Sequence, residues 1–135
     1  MSGGPADLTG RWHGFYSYAG SDRSCAFAAE LRDHGGEIVG VSYEVAQFGP
    51  APGDTLSASL QGRRSGSAVD FSKTYDTVEV AHYSIHYAGT LSADGMEIEG
   101  TWSIPGEGQR GTFLMVREGG AEAGEERKVE ESVRR

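Results

Sequence analysis

From Leu8 to Arg117 apolar and polar side chains alternate with a period of two, and glycine-rich breaks interrupt the alternation about every ten residues. The pattern predicts eight strands, at 8–18, 25–32, 38–45, 55–62, 68–75, 81–91, 96–104 and 111–117. The breaks at 20–22, 33–36, 49–54, 64–67, 94–95 and 105–108 are rich in Gly, Pro, Asp and Ser, which supply turn conformations. No stretch between strands offers ten or more residues of helical period, so parallel β-α-β connections are excluded. Short links make each strand antiparallel to the next. Eight meandering strands close most economically into an up-and-down barrel, which removes the exposed edges. The expected fold is all-β: an eight-stranded antiparallel meander barrel over 8–117, with a disordered leader at 1–7 and a flexible or marginally helical tail at 118–135.

Alternation also assigns faces. In the seventh predicted strand Met96, Ile98, Gly100, Trp102 and Ile104 share one side. In the sixth, Tyr83, Ile85, Tyr87, Gly89 and Leu91 do the same. A loop at 92–95 would pair Leu91 with Met96, Gly89 with Ile98, Tyr87 with Gly100 and Ile85 with Trp102, setting each glycine opposite a large side chain. Because strands run alternately up and down, the two ends of the interior can be told apart. The lower end is expected to receive Leu8, Trp12, Leu31, Val39, Val69, Leu91, Met96 and Arg117. The upper end is expected to receive Tyr16, Tyr18, Cys25, Tyr43, Lys73, Tyr75, Tyr83 and Trp102, with Tyr87 near the middle. All six tyrosines thus face inward, and Lys73, the only lysine before the tail, lies among them. Phe15, Leu114 and Val116 point outward as a small apolar patch.

The chain has 135 residues, enough for one domain but not for two separate cores. Its net charge of −8 argues against nucleic acid, because phosphate contacts need clustered Lys and Arg. No apolar run approaches the roughly 20 residues of a membrane helix, and the first residues lack a signal-peptide pattern. A single cysteine, Cys25, forms no intramolecular disulfide, so a cytoplasmic protein with no membrane association is expected. The tail holds six Glu and four Arg or Lys, with Val129 and Val133 spaced i, i+4, too little apolar surface to order alone. His82 and His86 share a strand face about 13 Å apart, too far to bind one ion. No metal site or cofactor is implied, and no phosphate loop, Gly-x-Ser-x-Gly or Cys-x-x-Cys motif is present.

Gly10-Arg11-Trp12 in the first strand and Arg117 in the last resemble the Gly-x-Trp and arginine of the calycin group, the lipocalins and avidin-like proteins. The stretch 88–102, Ala-Gly-Thr-Leu-Ser-Ala-Asp-Gly-Met-Glu-Ile-Glu-Gly-Thr-Trp, is similar to the penultimate hairpin of avidin-like barrels. The resemblance implies that Trp12 packs against Arg117 at a closed end of the barrel. Biotin is not the expected guest. Gly14 stands where the ureido-binding Asn of biotin binders would fall, and the body has only Trp12 and Trp102.

The leading expectation is non-enzymatic binding of a small aromatic or anionic ligand at the upper end. Tyr16, Tyr43, Tyr75, Tyr83 and Tyr87 would supply walls and hydroxyls, Lys73 the charge and Trp102 a stacking surface. Residues 46–54, with Phe48, would form a lid. An alternative is an interaction module, a homodimer through the outer wall, whose barrel is filled by its own side chains. A second alternative is an isomerase or cyclase using Lys73, with Tyr75 or Tyr83 as acid–base partner.

Overall fold

The computed structural model describes residues 7–45, 53, 55–76 and 84–118. Eight strands follow in order: β1 (Gly10–Tyr18), β2 (Ser24–His34), β3 (Glu37–Val45), β4 (Thr55–Ser65), β5 (Ala68–Tyr75), β6 (Ile85–Leu91), β7 (Glu97–Ser103) and β8 (Arg110–Arg117). Each pairs antiparallel with the next, and β8 returns to β1, so the sheet closes into an up-and-down barrel. Among the described residues no helix is long and apolar enough to cross a membrane. The leader up to residue 6, the 46–52 loop with Phe48, His82, Tyr83 and the tail beyond Glu118 lie outside the described residues.

The two ends differ in their links. The lower end has two-residue turns at 35–36 and 66–67 and the five-residue loop 92–96, whereas the upper end has segments of five to nine residues at 19–23, 46–54, 76–84 and 104–109. The turn at 35–36 places both Gly35 and Gly36 at positive φ, 62° and 101°, the geometry that matches a hairpin's twist.

Side chains and hydrogen bonds shut the lower end. Leu8 and Trp12 are fully buried, and Trp12 Nε1 donates to the Leu8 carbonyl. Arg117 lies 4.5 Å over the Trp12 ring and donates to the carbonyls of Asp7, Thr9 and Gly95. Asp33 holds a second lock. Its carboxylate accepts from Leu8 N, Gly36 N and Arg64 Nε, tying the segment before β1 to β2 and β4. Burial alone would raise the Asp33 pKa, but Arg64 and the two backbone N–H groups hold it below the usual carboxylate value.

Three expectations are corrected. The face of β3 is inverted: Ile38, Ser42 and Glu44 are buried, while Val39, Tyr43 and Val45 are 44%, 43% and 58% exposed on the outer wall. The cause is the tight turn, which pairs Asp33 with Ile38 and Leu31 with Gly40, so the face of β3 follows that of β2. The β6–β7 register is shifted by two residues, with Leu91 opposite Ile98, Gly89 opposite Gly100 and Tyr87 opposite Trp102. Asp94 and Ser92 build the loop that sets it, through Met96 N to Asp94, Glu97 N to Ser92 Oγ and Ser92 N to the Glu97 carbonyl. A shift of two leaves every face unchanged. Both glycines are covered from the next strand over, where Phe113 sits opposite Gly100 with its ring tip against Gly89. Finally, Val116 is buried rather than exposed, and Phe15 and Leu114, opposite one another, are half-buried.

Candidate functional site

Above the lower plug the interior is aromatic. Phe71 and Tyr87 stack at 4.9 Å and 7°, and Phe113 meets both edge-on. Trp102 packs edge-on against Tyr16 and Tyr18 and donates Nε1–H to the Ser17 carbonyl across Gly111. A Cβ on Gly111 would fall 1.7 Å from that carbonyl oxygen and 2.7 Å from Nε1, so only glycine lets the indole lie there. Cys25, opposite Tyr16, is buried at the same end.

Into this setting β3 and β5 bring opposite charges. Lys73 is 1% exposed and Glu44 8%, and Lys73 Nζ donates to Glu44 Oε1 at 2.5 Å. The carboxylate accepts two further bonds, from the Tyr75 hydroxyl to Oε1 at 2.9 Å and the Tyr16 hydroxyl to Oε2 at 2.7 Å. Four rings surround the ammonium, with centroids 4.9 Å (Tyr75), 5.1 Å (Tyr16), 5.2 Å (Phe27) and 5.8 Å (Tyr87) from Nζ. Their π faces offset part of the desolvation cost of the cation. Glu44, Lys73, Tyr75 and Tyr16 lie within two residues of the upper ends of β3, β5 and β1, which fixes the cluster at the upper end of the barrel.

The electrostatics follow from burial. Desolvation lowers the Lys73 pKa, against the opposing pull of Glu44. Burial raises the Tyr16 and Tyr75 pKa values, and the Glu44 charge, together with Tyr75 in the case of Tyr16, pushes the same way. Tyr87 is raised by burial and then by Glu44. Both hydroxyls on Glu44 therefore stay protonated as donors. The Lys73–Glu44 contact itself has the geometry of an ion pair.

Of the residues expected at the site, Tyr16, Lys73, Tyr75, Tyr87 and Trp102 face the upper interior. Tyr43 is on the outer wall, and Tyr83 lies outside the described residues. His86 is exposed opposite Ser103 and away from Glu99, which faces Thr90. Among the described residues no three His, Cys, Asp or Glu side chains gather as a metal site would require. On β3 two interior polar residues escaped the sequence reading, Glu44 and Ser42, both on the face assigned to solvent. The signal for them was Gly35-Gly36: treated as a two-residue turn, it carries the inward face of β2 directly onto Ile38, Ser42 and Glu44.

Closure of eight antiparallel strands with an ion pair inside one end defines the class of molecule, a barrel with a polar centre in its core. No protein-family model matches the chain, and no curated protein matches it.

Proposed function

We propose that the protein is a non-enzymatic small-molecule binder of calycin-like form, which takes its ligand at the upper end among Tyr16, Glu44, Lys73 and Tyr75. The observation that carries this reading is the buried Glu44–Lys73 pair with its two tyrosine donors. Replacing such a pair by packed apolar residues is often neutral or stabilising by about 1–4 kcal/mol, so the fold alone gives little reason for it. A few convergent polar groups in an otherwise apolar enclosure are what a ligand site requires. The calycin-like form is supported by Trp12 and Arg117, which meet at the closed lower end as that resemblance implies. Since Glu44 neutralises Lys73, an aromatic guest suits the site better than an anionic one.

The test is native mass spectrometry of the chain purified from its own cells. The expected spectrum shows an adduct that denaturation releases and that Lys73→Met loses while keeping the β-sheet circular dichroism. A wild-type chain that carries no adduct, and binds nothing from a fragment library by ligand-observed NMR, overturns the reading.

A second reading rests on the outer stripe of β3. Val39, Tyr43 and Val45 are exposed there, beside the small Ala28 and Ser57 that flank Tyr43. On a chain of net charge −8 this uncharged strip is a place where two copies meet without repulsion. Light scattering should then give a dimer that Val39→Ser with Tyr43→Ser converts to a monomer; a wild-type monomer at high concentration removes this reading.

A further inference from the structure

Resting on the binding reading above, we propose that Ser42 is a second anchoring residue of the interior site, and that the ligand is an uncharged, planar molecule bearing a carbonyl oxygen. Ser42 is 1% exposed, and its Oγ is the one buried side-chain polar atom without a hydrogen-bond partner among the described residues. It lies on the inward face of β3, one layer below Glu44 and thus roughly 7 Å from it along the strand. Its neighbours in register are Ala29 on β2 and Ala58 on β4, both buried. Three of the smallest side chains therefore sit side by side on one stretch of inner wall, facing a core of aliphatic side chains and rings. An unpaired buried hydroxyl costs stability that alanine, of nearly the same volume, would not. Among the described residues the hydroxyl has no hydrogen-bond partner, and it belongs to the strand face that carries Glu44 of the ion pair.

The chemistry of the guest follows from counting donors and acceptors. Glu44 already accepts three bonds, from Lys73, Tyr16 and Tyr75. An ammonium has three N–H bonds, and Glu44 takes one. Among the described residues two N–H bonds of Lys73 and the O–H of Ser42 find no oxygen acceptor, so the site has donors to spare and a nearly saturated acceptor. A ligand that completes it brings an oxygen acceptor. The charges of Lys73 and Glu44 cancel, so a charged guest would enter with no counter-charge and carry its full desolvation cost. Planarity follows from the rings of Tyr16, Phe27 and Tyr87 around Nζ and the Phe71–Tyr87 stack beneath. Lys73, Glu44 and Ser42 are all buried, so occupation requires the side chains of the upper end to move aside.

The experiment uses the full chain and three probes of one size: coumarin, with a ring carbonyl; naphthalene, without one; and 2-naphthoate, an anion. Dissociation constants are read by NMR titration. Coumarin should bind at least about tenfold more tightly than either analogue. Ser42→Ala should weaken coumarin about tenfold, the loss of one hydrogen bond, leave naphthalene unchanged, and melt no lower than wild type. If Ser42→Ala binds coumarin as wild type does, or melts well below it, the hydroxyl serves the fold and the assignment of Ser42 is overturned. The binding reading then still stands where Lys73→Met abolishes coumarin binding. A preference for 2-naphthoate or naphthalene overturns the acceptor class. Failure of all three probes, together with a native mass free of adduct, overturns this inference and the binding reading at once.

Discussion

Glu44 and Lys73 form a buried ion pair inside the barrel, so any single substitution there strands the other partner. Breaking a buried pair from one side typically costs about 3–5 kcal/mol, much of it the penalty on the unpaired partner. Lys73→Met and Glu44→Leu should each lose stability of that order in urea unfolding, and the double variant should recover most of it. A double variant as unstable as the two single losses added together would show that the pair is not an energetic unit. Asp33 gives a pH signature of its own. Its folded pKa is depressed, so its contribution is present above the unfolded value of about 4 and is lost as pH falls through the folded value. The thermal advantage of wild type over Asp33→Asn should therefore be full at pH 7 and vanish in acid; an advantage constant down to pH 2 would contradict the Arg64 pairing. Lys73, Tyr16 and Tyr75 were legible as interior residues because apolar neighbours on their strands mark the phase. Glu44, Ser42 and Asp33 were not, because a polar residue is assigned to solvent until its partner on another strand is known.

β3 is the element where alternation misled. Val39, Val41, Tyr43 and Val45 outweigh Ile38, Gly40, Ser42 and Glu44 in hydrophobicity, yet the barrel turns the second set inward. The register inherited from β2 decides the matter, since one residue of slip would exchange the two faces. Truncation at Ile38 to Ala should cost about 2–5 kcal/mol, as for a core aliphatic, whereas Val45→Thr should stay within about 0.5 kcal/mol of wild type. The reverse order, measured by chemical unfolding, would restore the face first read from the sequence. The β6–β7 hairpin shows the milder failure. Its faces were legible and its register was not, because the hydroxyl and carboxylate bonds of Ser92 and Asp94 lengthen the loop by local chemistry that the apolar pattern does not carry.

Across the molecule, the barrel is locked below and linked by long segments above. Arg117 joins the chain before β1, the β6–β7 loop and β8 through three carbonyls and the Trp12 ring. Arg117→Ala should lower stability by about 2 kcal/mol or more. It should speed amide exchange at the lower end and leave any ligand of the upper end in place. Loss of the ligand together with the lock would mean that the two ends are coupled.

The period-two pattern, the glycine-rich breaks and the absence of helical stretches determined the strand count, the antiparallel order and the closed barrel, because these follow from local chemistry summed along one chain. The inward path of Lys73 and its tyrosines was legible for the same reason. Which face of β3 enters the core, which residues of β6 and β7 stand opposite, and that Lys73 meets a carboxylate were decided only by the tertiary structure. Each depends on the pairing of strands distant in sequence, and Glu44 and Lys73, 29 residues apart, become partners only when the sheet closes on itself.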